Sequence, residues 1–295
     1  AAGLLAACGG GSGDRGGTTD GGAGATLVPG ASERSGEIEF LVPNFPDGFR
    51  GPSVLIPGRE QRVTFVLRDN VDILRREVPD SIELTIRDST GERVGGGQVA
   101  VHADGIATPY YPVIFTPGAV GQYVATVEGT SADPVPFTVV DPEEVGIVQI
   151  GDPMRPVATP TFDDARGVDP ICTRAEPCRF HELSLDEALT LGRPTVLLMS
   201  TPGFCQTDIC GPVLELLIEA MGERTAEVGV VHAEVYVDPS QFASGNFPDL
   251  TPALQTYSLP FEPQLLVADA TGTIVSRLDT TWDRAELGEA LAPTG

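Results

Sequence analysis

The chain has 295 residues, with 42 acidic and 18 basic side chains and a formal net charge of −24. This length suits two ordinary hydrophobic cores better than one continuous core. The acidity argues against nucleic-acid binding through phosphate contacts and against electrostatic adhesion to anionic lipid. Of the five cysteines, Cys8 stands alone, whereas Cys172 with Cys178 and Cys205 with Cys210 form close pairs. Paired cysteines are typical of an oxidising compartment.

The N-terminal segment predicts export and membrane anchoring. Residues 1–7 are apolar, as at the end of a signal peptide, and no other stretch reaches the 18 apolar residues of a spanning helix. Leu5-Ala6-Ala7-Cys8 resembles the lipobox of bacterial lipoproteins, which implies lipidation of Cys8. The Gly-rich residues 9–36 predict a disordered tether. We expect residues 1–36 to hold the folded part at the outer face of the membrane; the alternative is a chance Cys in a disordered tail.

Residues 37–141 predict an all-β domain. Short β-forming runs recur between turn signals, and several alternate apolar with polar residues, which is typical of a sandwich. Segment 116–123 resembles the turn into a late strand of immunoglobulin-like domains, with Tyr123 at the tyrosine-corner position. This resemblance implies an immunoglobulin-like sandwich, and His102 within it is expected to be satisfied or exposed. The predicted strands cover residues 39–42, 62–67, 81–86, 98–102, 112–115, 123–127 and 135–140.

Residues 142–170 are rich in proline and predict a semi-extended linker. After it the pattern changes to α/β, so residues 37–141 and 181–295 are predicted to fold as separate units. Helical spacing appears at 183–189, 206–224, 252–257 and 283–291, and strand-like runs at 194–199, 228–237, 264–268 and 273–277.

This order of elements resembles a thioredoxin fold, which we assign to residues 171–295. Phe204-Cys205 follows a strand and precedes a helix, as the aromatic-Cys site of that family does. Leu259-Pro-Phe-Glu-Pro263 resembles the family's loop whose proline is cis and faces the site, which implies that role for Pro263. The motif around Cys205 and Cys210, Cys-x4-Cys-Gly-Pro, resembles secreted actinobacterial thioredoxin-like proteins, in which a Cys-x5-Cys-x-x-His segment precedes it.

The pair Cys205 and Cys210 allows two interpretations. A thiolate at a helix N-terminus is stabilised by unpaired amides, which favours Cys205 as the attacking and Cys210 as the resolving cysteine. However, the family spacing is Cys-x-x-Cys, and Asp208 in the intervening turn would raise a thiol pKa. We expect the two to be oxidised together, either as a redox-active disulfide or as a structural staple.

The remaining candidates are assigned mainly structural roles. Cys172 and Cys178 are predicted to form a structural disulfide, although a bridge between the two cysteine loops is an alternative. His181 is assigned to a helix start, with a base near Cys205 as the alternative, and His232 to core packing. Gln264, after the proline, is expected to line a substrate groove.

The sequence therefore predicts a surface lipoprotein that acts as a thiol–disulfide oxidoreductase on extracytoplasmic proteins. A non-catalytic lipoprotein that binds proteins and has only structural disulfides is the alternative. A third interpretation is copper delivery, because soft thiolates select Cu(I), but the cysteine spacing is one residue too long. No nucleotide, hydrolase or metalloprotease motif is present, and neither a cofactor nor a metal site is predicted.

Overall fold

A computed structural model describes residues 40–43, 54–205 and 209–295, which belong to one compact unit. The predictions for Cys8, the tether and Asp208 lie outside these residues. In the part that is described, none of the helices is both long and apolar enough to cross a bilayer. The described residues are β-rich, with three sheets and few helices.

The seven strands predicted in the first half are all present, with ends that shift by up to a few residues. Four further strands and four α-helices follow in the second half of the described chain. The strands are β1 Phe40–Pro43, β2 Gln61–Arg68, β3 Ser81–Arg87, β4 Arg93–Ala100, β5 Tyr111–Phe115, β6 Gly121–Val127, β7 Val135–Val139, β8 Thr195–Met199, β9 Gly229–Ala233, β10 Gln264–Ala268 and β11 Ile274–Asp279. The α-helices are α1 Leu185–Ala188, α2 Cys210–Met221, α3 Pro252–Tyr257 and α4 Arg284–Leu291.

Strands β1 to β7 form two antiparallel sheets that face each other. Their orders are β1-β2-β5 and β4-β3-β6-β7. Alternate residues of both sheets meet in one apolar core, where Phe115, Tyr123 and Phe137 pack ring against ring. The Tyr123 hydroxyl donates to the carbonyl oxygen of Ala119 at 2.8 Å, the upstream backbone contact that defines a tyrosine corner.

The third sheet has the order β11-β10-β8-β9, in which β8 and β9 are parallel and the other neighbours antiparallel. Its inner strands are buried on both sides, because helices cover both faces. Leu197 and Met199 of β8 face the side of α1 and α3, and Val196 and Leu198 face the side of α2 and α4. Strand β8 thus leads out of a rigid core directly into the loop that carries Cys205.

Two predicted boundaries differ from the structure. The apolar run 228–237 predicts one long strand, but β9 ends at Ala233. The chain leaves the sheet there while Val235 stays buried in the core, so hydrophobicity alone overestimates the strand. Helix α2 begins at Cys210 and ends before Gly222, whose φ of +40° does not continue a helix.

The segment predicted as a linker, residues 142–170, packs against the third sheet. Ile147, Val148 and Met154 are buried in the core on the α1 and α3 side. The backbone N–H of Gly151 donates to the carbonyl of Ile274 in β11 at 2.8 Å. The apolar residues that hold this segment are scattered without periodicity, so a pattern-based prediction rests on its prolines and misses its packing. The segment is therefore part of the folded structure. The domain boundaries stay a prediction.

A buried ion pair joins the sandwich to the α/β part. Arg62 of β2 donates to both carboxylate oxygens of Glu286 in α4, at 2.8 and 2.6 Å. These two side chains are only 10% and 8% exposed, and the Tyr110 hydroxyl also donates to Glu286. Nearby, His102 lies 3.0 Å from the carboxylate of Asp283, so it is satisfied, as predicted. The two parts have separate apolar cores but share this polar contact.

Candidate functional site

Cys205 and Cys210 form a disulfide at the end of the loop that follows β8. Cys210 is the first residue of α2 and is fully buried, whereas Cys205 lies in the preceding loop and is partly exposed. The sequence predicts that this helix begins directly after Cys205. In the structure it begins at Cys210 instead. Cys205 is therefore the more exposed member of the pair, while Cys210 is shielded in the core.

The carboxyl group of Glu262 lies beside the buried sulfur of this disulfide. Its Oε2 is 3.5 Å from Cys210 Sγ and accepts a hydrogen bond from the N–H of Thr201 at 2.6 Å. Burial raises the pKa of Glu262 to about 7, so the group can exchange a proton near neutral pH. No sequence motif predicted a role for Glu262. The available signal is an acid directly before Pro263, whose peptide bond with Glu262 is cis, as predicted.

Aromatic rings form an exposed patch next to the Cys205 loop. Phe204, directly before Cys205, is 43% exposed, and Phe247 is 54% exposed. Phe242 connects them, with ring centroids 6.5 Å from Phe204 and 5.4 Å from Phe247, and Tyr236 packs on Phe242 at 5.0 Å. The partly exposed residue Cys205 therefore lies next to an apolar surface.

A second cluster of reactive side chains lies inside the α/β part. Cys172, Cys178, His181 and His232 are all less than 5% exposed. Their four candidate ligand atoms lie within 4.8 Å of one another. The segment from Cys172 leads into a short 3₁₀ helix, Arg179–His181, which packs on β9. His232 belongs to β9, so the sheet register places it against the cysteine segment.

The predicted disulfide between Cys172 and Cys178 is not formed, because the sulfurs are 3.9 Å apart and are free thiols. Each sulfur also faces Nδ1 of His232, at 3.8 Å from Cys172 and 3.5 Å from Cys178. The hydrogen bond between the sulfurs lowers the pKa of Cys172 and raises that of Cys178. Burial lowers the pKa of His232, which favours the neutral imidazole.

The hydrogen bonds of His232 determine which nitrogen points at the sulfurs. Its Nε2 lies 3.1 Å from both the hydroxyl and the carbonyl oxygen of Ser200. A carbonyl oxygen only accepts, so Nε2 carries the hydrogen and the Nδ1 lone pair faces Cys172 and Cys178. Neither ring nitrogen of His181 has a hydrogen-bond partner among the described residues. Its ring centroid is 5.1 Å from that of His232.

The two histidines and Gln264 therefore differ from their predicted roles. His232 is buried, as core packing requires, but it also contacts the cysteine pair, and the ring of His181 lies against His232. Gln264 does not line a groove, because it is fully buried and donates to the carboxylate of Asp279 at 2.7 Å. The signal that the sequence offered for this cluster is the Cys-x5-Cys-x-x-His spacing.

A third group, His102 with Asp283 and Glu286, also combines potential ligands. Its carboxylates already have strong partners. Asp283 accepts from the N–H of Glu286 at 3.0 Å at the start of α4, and Glu286 is paired with Arg62. This group is an ion-pair network at the junction of the two parts.

No protein-family model and no curated protein matches the chain. Among solved structures, it is similar to a thioredoxin-family thiol:disulfide interchange protein from Chlorobium tepidum TLS (14% identity, 48% of this chain, 99% of that chain, TM-score 0.27). It is also similar to domains 4 and 5 of the S-layer protein SbsC (19% identity, 35% and 52%, TM-score 0.22). A third neighbour is a metagenome-derived glycoside hydrolase family 9 endoglucanase (21% identity, 29% and 16%, TM-score 0.22). The chain thus spans only 16% and 52% of the endoglucanase and S-layer structures. These TM-scores carry no argument about fold or function.

Proposed function

We propose that the chain carries a thioredoxin-like α/β domain on an immunoglobulin-like sandwich and acts as a thiol–disulfide oxidoreductase. The observation that carries this proposal is the pairing of a partly exposed Cys205 with a buried Cys210, whose sulfur lies 3.5 Å from the Glu262 carboxyl group. The strand order β11-β10-β8-β9 supports the α/β assignment, with α2 connecting the parallel strands. The Tyr123 corner supports the sandwich assignment.

The reaction follows from the difference between the two sulfurs. In the reduced protein, the Cys205 thiolate attacks a substrate disulfide, forms a bond to one substrate sulfur and displaces the other as a thiolate. The Cys210 thiol then transfers its proton to the Glu262 carboxylate and attacks Cys205 Sγ, which releases the second substrate thiolate. The substrate gains two electrons and the protein returns to the Cys205–Cys210 disulfide, which an external dithiol reduces again.

The aromatic patch supports a protein substrate. Phe204 and Phe247 present apolar area beside the attacking sulfur, and such area contributes to binding when it is covered by a polypeptide. A small disulfide would use little of this surface. We therefore propose disulfides of extracytoplasmic proteins as the substrate class.

The proposed activity is tested by trapping the mixed disulfide. Cys210→Ala lacks the resolving thiol, so its reaction with a disulfide-containing peptide should accumulate a covalent adduct on non-reducing gels. The matched variant Cys205→Ala retains only the buried member of this pair and should accumulate no adduct at the loop after β8. If neither variant forms an adduct while both keep the wild-type circular dichroism spectrum, the Cys205–Cys210 bond is a structural staple, as in the non-catalytic alternative.

We also propose that Cys8 is lipidated and anchors the protein at the outer face of the cell membrane. The support is the lipobox-like sequence before Cys8 and the Gly-rich residues after it. In cells that express the full precursor, Cys8→Ser should move the protein from the membrane fraction to the soluble exported fraction. Cys205→Ser is the control and should stay with the membranes. Retention of Cys8→Ser in the membrane fraction contradicts the anchor.

A further inference from the structure

We propose that Cys172, Cys178, His181 and His232 form a closed structural Zn²⁺ site. This inference is independent of the proposed redox reaction. Two thiolates and two imidazoles are a standard ligand set of structural zinc, and four protein ligands leave no open position for catalysis. The four side chains come from two separate parts of the chain and converge in the interior.

The distances between the donor atoms fit a tetrahedral zinc ion. With metal–sulfur bonds of about 2.3 Å and metal–nitrogen bonds of about 2.0 Å, the sulfur–sulfur edge of the tetrahedron is about 3.8 Å and the sulfur–nitrogen edge about 3.5 Å. The observed separation of the sulfurs is 3.9 Å, and Nδ1 of His232 is 3.8 and 3.5 Å from them. Three corners of the tetrahedron are therefore in place.

The fourth corner fits His181. Both of its ring nitrogens are buried without a hydrogen-bond partner among the described residues. Leaving a buried polar atom without a partner is unfavourable, because the atom loses its contacts with water and gains none in return. All four donor atoms lie within 4.8 Å of one another, and a metal bond to His181 would satisfy one of its nitrogens.

The surroundings of the cluster also resemble those of a metal site. Metal-bound histidines usually donate their second ring N–H to a neighbouring oxygen. His232 does so through Nε2 to Ser200, at 3.1 Å, which directs its other nitrogen at the sulfurs. The segment after Cys172 is held as well, because the N–H of Thr173 donates to the buried carboxyl group of Glu234 at 2.6 Å.

Charge balance favours Zn²⁺ over Cu(I). Binding releases two thiol protons, so Zn²⁺ with two thiolates and two neutral imidazoles is uncharged. Cu(I) in the same ligand set would leave one net negative charge in a fully buried cluster, and uncompensated buried charge is strongly unfavourable. The four ligands are all less than 5% exposed.

The metal would stabilise the segment on which the Cys205 loop rests. The N–H of Gly203, two residues before Cys205, donates to the Thr173 hydroxyl at 2.9 Å. Thr173 directly follows the ligand Cys172. Zinc binding would therefore connect β9, the cysteine segment and the loop after β8 without contacting Cys205 or Cys210.

Metal analysis and cobalt spectroscopy of the full chain test this site. The reduced wild-type protein should bind one equivalent of Zn²⁺, and removal of the metal with a chelator should lower the melting temperature reversibly. Co²⁺ in place of zinc should give the visible bands of a tetrahedral ion and thiolate charge-transfer bands with the intensity of two sulfurs. Cys205→Ser/Cys210→Ser is the matched control and should keep one equivalent, whereas Cys178→Ser and His232→Gln should lose it.

Ser200→Ala is a variant that should fold and whose zinc affinity should still change. Loss of the hydroxyl removes one of the two oxygens beside Nε2 of His232 and keeps the backbone carbonyl as an acceptor. In competition with a chromophoric chelator, zinc affinity should therefore weaken measurably, but by less than the roughly tenfold expected when the whole contact is lost. Four results would overturn the proposal: no zinc bound by the reduced wild type, cobalt spectra without thiolate bands, loss of the metal in the Cys205→Ser/Cys210→Ser control, or a Cys172–Cys178 disulfide in protein isolated without reductant. One equivalent of Cu(I) in the protein as isolated would overturn the assignment to zinc.

Discussion

Arg62→Ala is expected to lower the free energy of unfolding by about 3–5 kcal/mol, because it leaves the Glu286 carboxylate buried without its counter-charge. Arg62 binds both oxygens of Glu286 and also donates to the carbonyl groups of Asp279 and Thr281, at 3.0 and 2.7 Å. One substitution therefore removes every polar contact that this side chain makes between β2 and the region of α4. Denaturant unfolding followed by circular dichroism measures the loss.

Arg59→Ala is the matched control for this experiment. Arg59 also forms an ion pair across the junction, with Asp152 at 2.6 Å, but the two side chains are 43% and 31% exposed. Exposed pairs contribute about 0–1 kcal/mol, so this variant should be nearly as stable as the wild type. The double variant Arg62→Ala/Glu286→Gln should recover part of the loss, since it removes the uncompensated charge. Equal stability of the Arg59 and Arg62 variants would show that the buried pair does not hold the two parts together.

Glu262→Gln is expected to slow resolution of the mixed disulfide at Cys205 by about 100-fold, the lower range of general acid–base effects. The reason is that the buried Cys210 thiol loses a proton acceptor whose Oε2 lies 3.5 Å away. Gln keeps an oxygen that can accept from the N–H of Thr201, so the loop should be retained. Single-turnover release of a peptide thiol measures the rate.

The pH dependence separates this role from a merely structural one. The pKa of Glu262 is about 7, so the wild-type rate should rise as the pH increases through 7 and the carboxylate forms. In Glu262→Gln this rise should shift to the higher pH at which the Cys210 thiol ionises by itself. Glu215→Gln on the exposed face of α2 is the control and should keep the wild-type profile. The same profile in Glu262→Gln and wild type would remove Glu262 from the proton transfer.

The raised pKa of Glu262 also predicts that the difference in stability between wild type and Glu262→Gln depends on pH. Burial raises its pKa from an ordinary 4.5 to about 7, so the stability associated with the protonated acid is fully present below about pH 4.5 and is lost as the pH rises through 7. Glu262→Gln stays neutral and avoids this loss. Between about pH 4 and pH 9, its stability relative to wild type should rise by up to about 3 kcal/mol. A constant difference across this range would contradict the raised pKa.

The sequence by itself determined most of the local structure. Short β-forming runs between turn signals, several of them alternating apolar and polar residues, predicted the seven strands of the sandwich. Helical spacing predicted α1, α3 and α4, because that pattern depends on which face of an element is buried. The position of Cys205 and Cys210 after a strand, the resemblance of their surroundings and the paired cysteines of an oxidising compartment predicted their disulfide, which the structure contains. Loop-level resemblance predicted the Tyr123 corner and the cis bond before Pro263, both of which are present.

The tertiary structure alone decided which side chains meet. His232 lies 60 residues after Cys172, Glu262 lies 52 after Cys210, and Glu286 lies 224 after Arg62. Such contacts depend on strand order and helix packing, which local patterns do not specify. Spacing alone also could not distinguish a disulfide at Cys172 and Cys178 from two thiols beside histidines, because six residues of separation permit both. The position of His232 in β9, against the two sulfurs, shows that Cys172 and Cys178 are two thiols beside a histidine.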